Sequence, residues 1–252
     1  MNENNFPKSW NPDTKPHRFC PGCGHGTTTK ILGEVIDKLE IADKSVIGLD
    51  IGCSLLAIDL FSVDTLQTHH GRTVPTMVGL KLADPRFVAI AYQGDGGAYA
   101  IGAQHLVNAV MRNDQITIIV VNNTIYAMTG GQLAPTTLID EKTTTTPEGR
   151  DEDKSGRTFL GPEMVASIAA PDSYIARGII SQPDQLKNYF EKALRNQLEG
   201  KGISFVEVLS TCPTNWKTNA RESLRFLEQK MAKFYKVGEF SPQIHFGEND
   251  ET

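Results

Sequence analysis

Apolar residues fall in two rhythms along this chain. Short β-branched runs bounded by turn residues, SVIGLDIG (45–52), RFVAIAYQG (86–94), DQITIIVVNN (114–123), SYIARGI (173–179) and ISFVEVLS (203–210), predict buried strands. Elsewhere apolar positions recur every three or four residues: Ile31, Leu32, Val35, Ile36 and Leu39 after CPGCGHG, and the stretches 98–113, 183–200 and 219–235. These predict helices. Within 98–113 the polar residues Gln104, His105, Asn108 and Arg112 share one face, so this segment reads as a crossover helix between two strands. The expectation is an α/β fold with a mostly parallel sheet, helices on both faces, and ligands at the carboxyl ends of the strands.

Between the patterned segments, residues 129–157 (TGGQLAPTTLIDEKTTTTPEGRDEDKSGR) form a long stretch rich in Thr, Gly, Pro and charge, expected to cover the site. Residues 1–18 read as a polar arm, 19–220 as the folded unit, and 221–252 as a surface helix with an acidic tail.

Charge narrows the function classes. Twenty-five basic against thirty acidic residues give a net charge of −5, and no Lys/Arg stripe marks a nucleic-acid footprint. The longest aliphatic run, ITIIVV, is far short of a membrane span, and the polar N-terminus has no apolar signal core. A cytoplasmic protein acting on small molecules, with no nucleic-acid or membrane partner, is expected. In that compartment four cysteines point to metal or redox duty rather than disulfides.

Two strand ends carry candidate chemistry. In YQGDGGAYA, Gly94 and Gly96 allow a close backbone approach, and Asp95 offers a hard oxygen at a helix start. A structural Gly-rich turn with an Asp cap explains the same residues equally well. Asn123 of VVNNTIYAMTGG lies at the end of the neighbouring strand, and Asp, Asn and a carbonyl suit Mg²⁺, which draws further oxygens from phosphate and water. Neither a P-loop nor the Rossmann glycine pattern is present.

The cysteines lie in turns or at strand ends: Cys20 and Cys23 in FCPGCGHG, Cys53 in DIGCS, Cys212 in LSTCPTNW. A C-x-x-C pair fits zinc or a dithiol, and four cysteines fit structural zinc or an iron–sulfur cluster. Spacing alone decides between none of these.

GDG followed by NN across one βα unit resembles the thiamine-diphosphate fingerprint. Beyond it, CPGCGHG, IGCS, THHGR, GDGG, NNTIYAMTGGQ and TCPTNW resemble, in order and over roughly residues 17–220, the β subunits of 2-oxoacid:ferredoxin oxidoreductases. The resemblance implies a thiamine-diphosphate-binding fold. It implies Mg²⁺ on Asp95, Asn123 and the backbone oxygen of Ile125, with Gly94, Gly96, Gly97 and Gly130 shaping the diphosphate site. It also implies a 4Fe-4S cluster on Cys20, Cys23, Cys53 and Cys212, with Cys53 and His25 close to the thiamine, and His70 and Arg72 near substrate and cofactor.

The activity implied is CoA-dependent oxidative decarboxylation of a 2-oxoacid, 2-oxoglutarate or branched-chain in type, with electrons leaving through the cluster to ferredoxin. No Glu stands in a context suited to activating the aminopyrimidine, so a pyrimidine-domain α subunit is implied, and a small ferredoxin-like subunit is compatible with it. Two other readings compete: a non-oxidative thiamine decarboxylase or carboligase subunit with structural zinc, and a non-catalytic electron-transfer or assembly protein.

Overall fold

The computed structural model describes residues 6–14 and 17–243. The first five residues and most of the acidic tail lie outside this range. Its centre is a seven-stranded sheet built from β1 (Ser45–Asp50), β2 (Asp64–Thr68), β3 (Val88–Gly94), β4 (Thr117–Asn122), β5 (Tyr174–Ile179), β6 (Ser204–Leu209) and β7 (Gly238–Phe240). The strand order is β2-β1-β3-β4-β6-β5-β7, every pairing parallel except β5 with β7. Each β-branched run of the sequence becomes a strand, and β1, β4 and β6 are buried at every position, as expected of parallel strands covered on both faces.

Two apolar layers provide the cover. On one side α1 (Gly24–Leu39) and a later helix, residues 183–198, pack Leu32, Val35, Leu186 and Phe190 against Ile47, Ile90 and Ile119. On the other, α2 (Thr73–Ala83), α3 (Ala103–Met111) and α4 (Gly161–Ile168) pack Met77, Leu106 and Val165 against Ala89, Ala91 and Ile118. The 183–198 segment is α5 (Pro183–Leu198), whose proline occupies a first-turn position where no amide bond is lost.

Strand β2, α2, α4 and β7 carry weak sequence signals and follow from packing rather than from pattern. The DTLQT run of β2 is an edge strand largely exposed along its length, so it lacks the apolar density of its neighbours. The C-terminal helix, α6 (Ala220–Phe226), continues through a π turn at Leu227–Met231, and it is less superficial than expected: Leu227, Met231 and Tyr235 are buried against Leu138, Ile179 and Leu209. The N-terminal arm is also anchored where described. Trp10 is buried and its indole N–H donates to the Thr29 carbonyl, while Ser9 Oγ donates to Gly33 O. Among the described residues no helix is long and apolar enough to cross a membrane.

One charged network lies inside the sheet layer facing α3 and α4. Arg177 of β5 is fully buried, bonds Glu207 of β6 through Nε, and grips Glu163 of α4 with both Nη atoms at 2.7 Å. Tyr99 Oη donates to the other Glu207 oxygen at 2.6 Å. Removing one partner of such a pair strands an uncompensated charge. Arg177→Met is expected to lower the unfolding free energy by about 3–5 kcal/mol, read from the urea midpoint, and an unchanged midpoint would show that the network adds nothing.

Candidate functional site

The strand order 2-1-3-4 reverses direction between β1 and β3, where α/β sheets open a crevice at their carboxyl ends. Asp95 follows β3 directly and is buried. The Gly96 N–H donates to its Oδ1 at 2.8 Å, and Thr136 Oγ1 donates to Oδ2. Burial pushes the Asp95 carboxyl up to about 7, and the nearby Glu207 charge adds to the rise. A cation at this carboxylate would relieve that cost.

Asn123 follows β4 and is also buried. The turn is tight: Thr124 takes the left-handed conformation at φ +62°, uncommon for a β-branched residue, and Ile125 N–H donates to Asn123 Oδ1 at 3.3 Å. The long loop holds this turn from behind. Thr137 Oγ1 donates to the Thr124 carbonyl, and Thr124 Oγ1 donates to Glu141. Glu141 is itself pushed up to about 7 by burial.

A cavity of about 430 Å³ opens on these strand ends. It brings together Gly94, Asp95, Gly96, Gly97, Asn123 and Ile125 of the two motifs. His25, Cys53 and His70 line it as well. Arg72, Gly130, Cys20, Cys23 and Cys212 are not in its wall. The expectation that residues 129–157 cover the site is corrected: only Thr129 of that segment reaches the cavity, and the rest buttresses the Asp95 and Asn123 turns. Arg150 explains the loop's shape, since its buried guanidinium donates to the carbonyls of Pro135, Thr137 and Arg157.

Whether these residues suit a metal-bridged diphosphate can be tested on the geometry. A Cβ added at Gly94 would meet nothing within 4 Å, so it would project into the open cavity. One added at Gly96 would lie 2.1 Å from the Tyr126 ring. Both glycines keep the floor low. Among the described residues no three His, Cys, Asp or Glu side chains converge as an ion cage. A hard cation there would draw on Asp95, amide and carbonyl oxygens and the ligand's own phosphates, which is the mode Mg²⁺ favours. The donor set fits.

His25 is neither solvated nor a cap. Its ring stacks on Phe19 with centroids 5.2 Å apart, Nδ1 lies 2.7 Å from Tyr92 Oη, and burial pulls its pKa down to about 4. It is a neutral wall. Asp50 and Tyr126 also line the cavity and were not anticipated. The signal for Asp50 was available, because a carboxylate ending a fully buried strand is unusual.

The four thiols gather beside this cavity. Cys23 caps α1, Cys53 opens a turn after β1, and Cys212 precedes a short helix after β6. The Gly24 N–H donates to Thr211 O at 3.2 Å, and Thr211 Oγ1 donates to Gly22 O at 2.7 Å, knitting the first and last cysteine loops together. Burial pushes the Cys23 thiol up to about 12, and the other three thiols add to it. Cys53 is likewise pushed up to about 12, chiefly by burial, with Cys212 and Cys20 contributing. Cys53 faces the first cavity, whereas Cys20 and Cys23 line a second one of about 420 Å³ on the other side. Burial raises the Cys212 thiol as well, and thiols that resist ionising where they are buried are the kind that a cationic centre would stabilise as thiolates.

Residues 50–208 match the family described as thiamine pyrophosphate enzyme, C-terminal TPP binding domain. The 2-oxoglutarate synthase subunit KorB of Methanothermobacter marburgensis is 35% identical over 252 residues, 96% of this chain and 84% of that one. The chain belongs to the 2-oxoacid:ferredoxin oxidoreductase β-subunit family. Ketoisovalerate oxidoreductase subunit VorA of Methanothermobacter thermautotrophicus is 39% identical over 225 residues, covering 88% of this chain but 47% of VorA, so the chain spans about half the length of that relative. A solved 2-oxoglutarate:ferredoxin oxidoreductase from Magnetococcus marinus shares the fold, with a TM-score of 0.74 at 21% identity over 96% of this chain and 87% of that one.

The open space above Gly94 yields a direct test for this family member. Gly94→Val would place its side chain in that space and is expected to change folding stability by less than about 1 kcal/mol. It should nevertheless abolish thiamine-diphosphate binding by calorimetry. Retained binding would move the diphosphate elsewhere.

Proposed function

We propose that this chain is the thiamine- and cluster-bearing subunit of a 2-oxoacid:ferredoxin oxidoreductase that forms an acyl-CoA and CO₂ from a 2-oxoacid. One observation carries the reading. The wall bearing Asp95, Asn123 and the glycine floor also bears Cys53, one of four mutually close thiols, so a cofactor in that cavity would adjoin a redox centre. Thiamine diphosphate bound there supplies an electron sink for decarboxylation, and a 4Fe-4S cluster on Cys20, Cys23, Cys53 and Cys212 takes electrons one at a time.

The chain's own residues have distinct tasks in this reading. Asp95, Asn123 and the Ile125 carbonyl hold Mg²⁺, and Gly94, Gly96 and Gly97 admit the diphosphate to the backbone. His25, neutral and wedged against Phe19 and Tyr92, excludes water between cavity and thiols. His70 stands in the wall as a polar contact for cofactor or substrate, while Arg72 acts from outside it as a surface cation attracting the substrate carboxylate. Gly130 serves the loop's fold rather than the diphosphate.

The relatives divide between ketoisovalerate and 2-oxoglutarate names. The cavity wall holds Ile51, Ile101 and Met128 but no Lys or Arg to meet a second carboxylate. This favours a branched-chain 2-oxoacid, with 2-oxoglutarate the second reading, in which a partner chain supplies the cation. In this reading a pyrimidine-domain α subunit supplies the activating Glu across the cavity mouth, and the acceptor is ferredoxin, reached directly or through a small ferredoxin-like subunit.

Anaerobically purified complex, assayed for viologen or ferredoxin reduction against a panel of 2-oxoacids with CoA, tests this. The expected result is a brown protein, CoA-dependent reduction with branched-chain substrates, and no turnover by the isolated chain until its partner is added. A colourless zinc protein that decarboxylates without reducing dye would establish the non-oxidative alternative. Cys212→Ser is expected to lose iron and electron transfer, and unchanged iron content and reduced-state EPR would remove Cys212 from the ligand set.

A further inference from the structure

We propose that Asp50 is a positioning residue that locks the 69–73 turn, and with it His70, onto the wall of the cofactor cavity. The proposal rests on the functional reading above for what the cavity holds, but its geometry is independent of it.

Asp50 ends β1, is 2% exposed and lines the cavity. Its Oδ1 accepts the Gly71 N–H at 2.7 Å and the Thr73 hydroxyl at 3.2 Å. Thr73 Oγ1 lies 2.7 Å from Thr68 Oγ1, which reaches Leu49 O at 3.1 Å, so the turn is tied to two adjacent strands. Hydrogen bonds to an ionised carboxylate are roughly twice as strong as neutral ones. Among the described residues no other carboxylate accepts from this turn.

The turn is also held from the other side. Gly71 has φ +65°, and a Cβ there would stand 2.5 Å from the Gly102 nitrogen. A Cβ on Gly102 would stand 2.3 Å from Gly97 O, and one on Gly97 would stand 2.2 Å from Asp50 Oδ2. Gly71, Gly102 and Gly97 thus pack backbone on backbone, and the Asp50 carboxylate closes the ring between Gly97 and Gly71. The π turn at Gly97–Ile101, immediately after the diphosphate motif, forms one side of that ring. Single π turns are often found at functional sites, where they re-aim the chain.

His70 inherits this rigidity. Its Nδ1 lies 2.9 Å from the Ile51 carbonyl, which can only accept, so Nδ1 carries a proton and the ring is fixed in orientation. Arg72 Nη1 donates to the His70 carbonyl at 3.2 Å and to Ile101 O at 3.4 Å, tying the turn again to the π segment. His70 is thus held to the wall directly by the Ile51 carbonyl and, through the backbone of its turn, by the bond from Gly71 to Asp50.

The test uses the complex with its partner subunits and compares Asp50→Ala, Asp50→Asn and Thr73→Val. Asn retains an oxygen acceptor for Gly71, and Thr73→Val removes one of the two bonds with little change in shape. Hydrogen exchange of the peptide containing Gly71, calorimetric affinity for Mg²⁺-thiamine diphosphate, and separate kcat and KM values are measured.

For Asp50→Ala, exchange at Gly71 is expected to rise and kcat to fall by about a hundredfold, the scale of a small misplacement of a reacting group, with cofactor affinity little changed. Asp50→Asn should restore protection and most of kcat, and Thr73→Val should fall between. Gly71 remaining protected in Asp50→Ala, or Asp50→Asn as inactive as Asp50→Ala despite a protected turn, would overturn the positioning role. A wild-type complex that turns over no 2-oxoacid sinks the functional reading instead, and exchange at Gly71 still decides whether Asp50 anchors the turn.

Discussion

Close approach of backbone to backbone at the β1/β3 crevice is the constraint on which the rest of the site depends. A parallel sheet covered on both faces offers polar groups one outlet, the carboxyl ends of its strands. Here the chain leaves β3 through Gly94, Asp95, Gly96 and Gly97 and turns at once into a π segment. Side chains at Gly96, Gly97 or Gly102 would collide with Tyr126, Asp50 or the Gly97 carbonyl. The crevice is deep because those positions have none, and depth is what lets a charged ligand reach the main chain.

Depth has an electrostatic cost. Asp50, Asp95 and Glu141 all sit where burial raises their pKa, to about 6, 7 and 7. Three carboxyls in one low-dielectric region are unfavourable unless a cation or strong donors compensate. Asp50 has Gly71 and Thr73, and Glu141 has Thr124 and the Leu138 N–H. Asp95 has Thr136 and the adjacent Gly96 amide, and of the three it stands on the glycine floor of the cavity. Donors within the fold serve all three carboxyls alike, so what sets Asp95 apart is its place between Gly94, Gly96 and Asn123 in the cavity wall.

How much of this was legible in the sequence follows from where each signal comes from. Strands such as ITIIVV announce themselves because burial on both faces demands unbroken apolar runs, and α1 does so because one face is apolar. Edge strand β2 does not, because an exposed edge is selected against stickiness rather than for density. That Asp95 and Asn123 follow neighbouring strands was legible from the βα spacing, whereas the spacing of the four cysteines suits several kinds of centre. Asp50 could be flagged only as an unusual carboxylate ending a buried strand, since what it does there arises from Gly71 and Gly97, 21 and 47 residues away in sequence. The loop 129–157 was misjudged for a related reason: its composition resembles a lid, but the buried Arg150 gathers its carbonyls into a fixed buttress.

The thiols are placed by the loops at the ends of β1 and β6 and at the start of α1. Cys53 is reached from β1, the strand that also ends in Asp50, so the turn after β1 contributes to the cofactor cavity and to the thiol group within four residues. Cys20 and Cys23 open instead on the second cavity, bordered by Trp10, Ile180 and Leu224. A centre held between them would adjoin the first cavity on one side and the second on the other, without any residue having to move. That arrangement depends on the bonds between the 20–24 and 211–213 loops, because Cys212 comes from the far end of the sheet's chain order. The strand ends at the switch therefore set the glycine floor of the crevice, and the loops around them carry toward one another cysteines that the sequence spreads from residue 20 to residue 212.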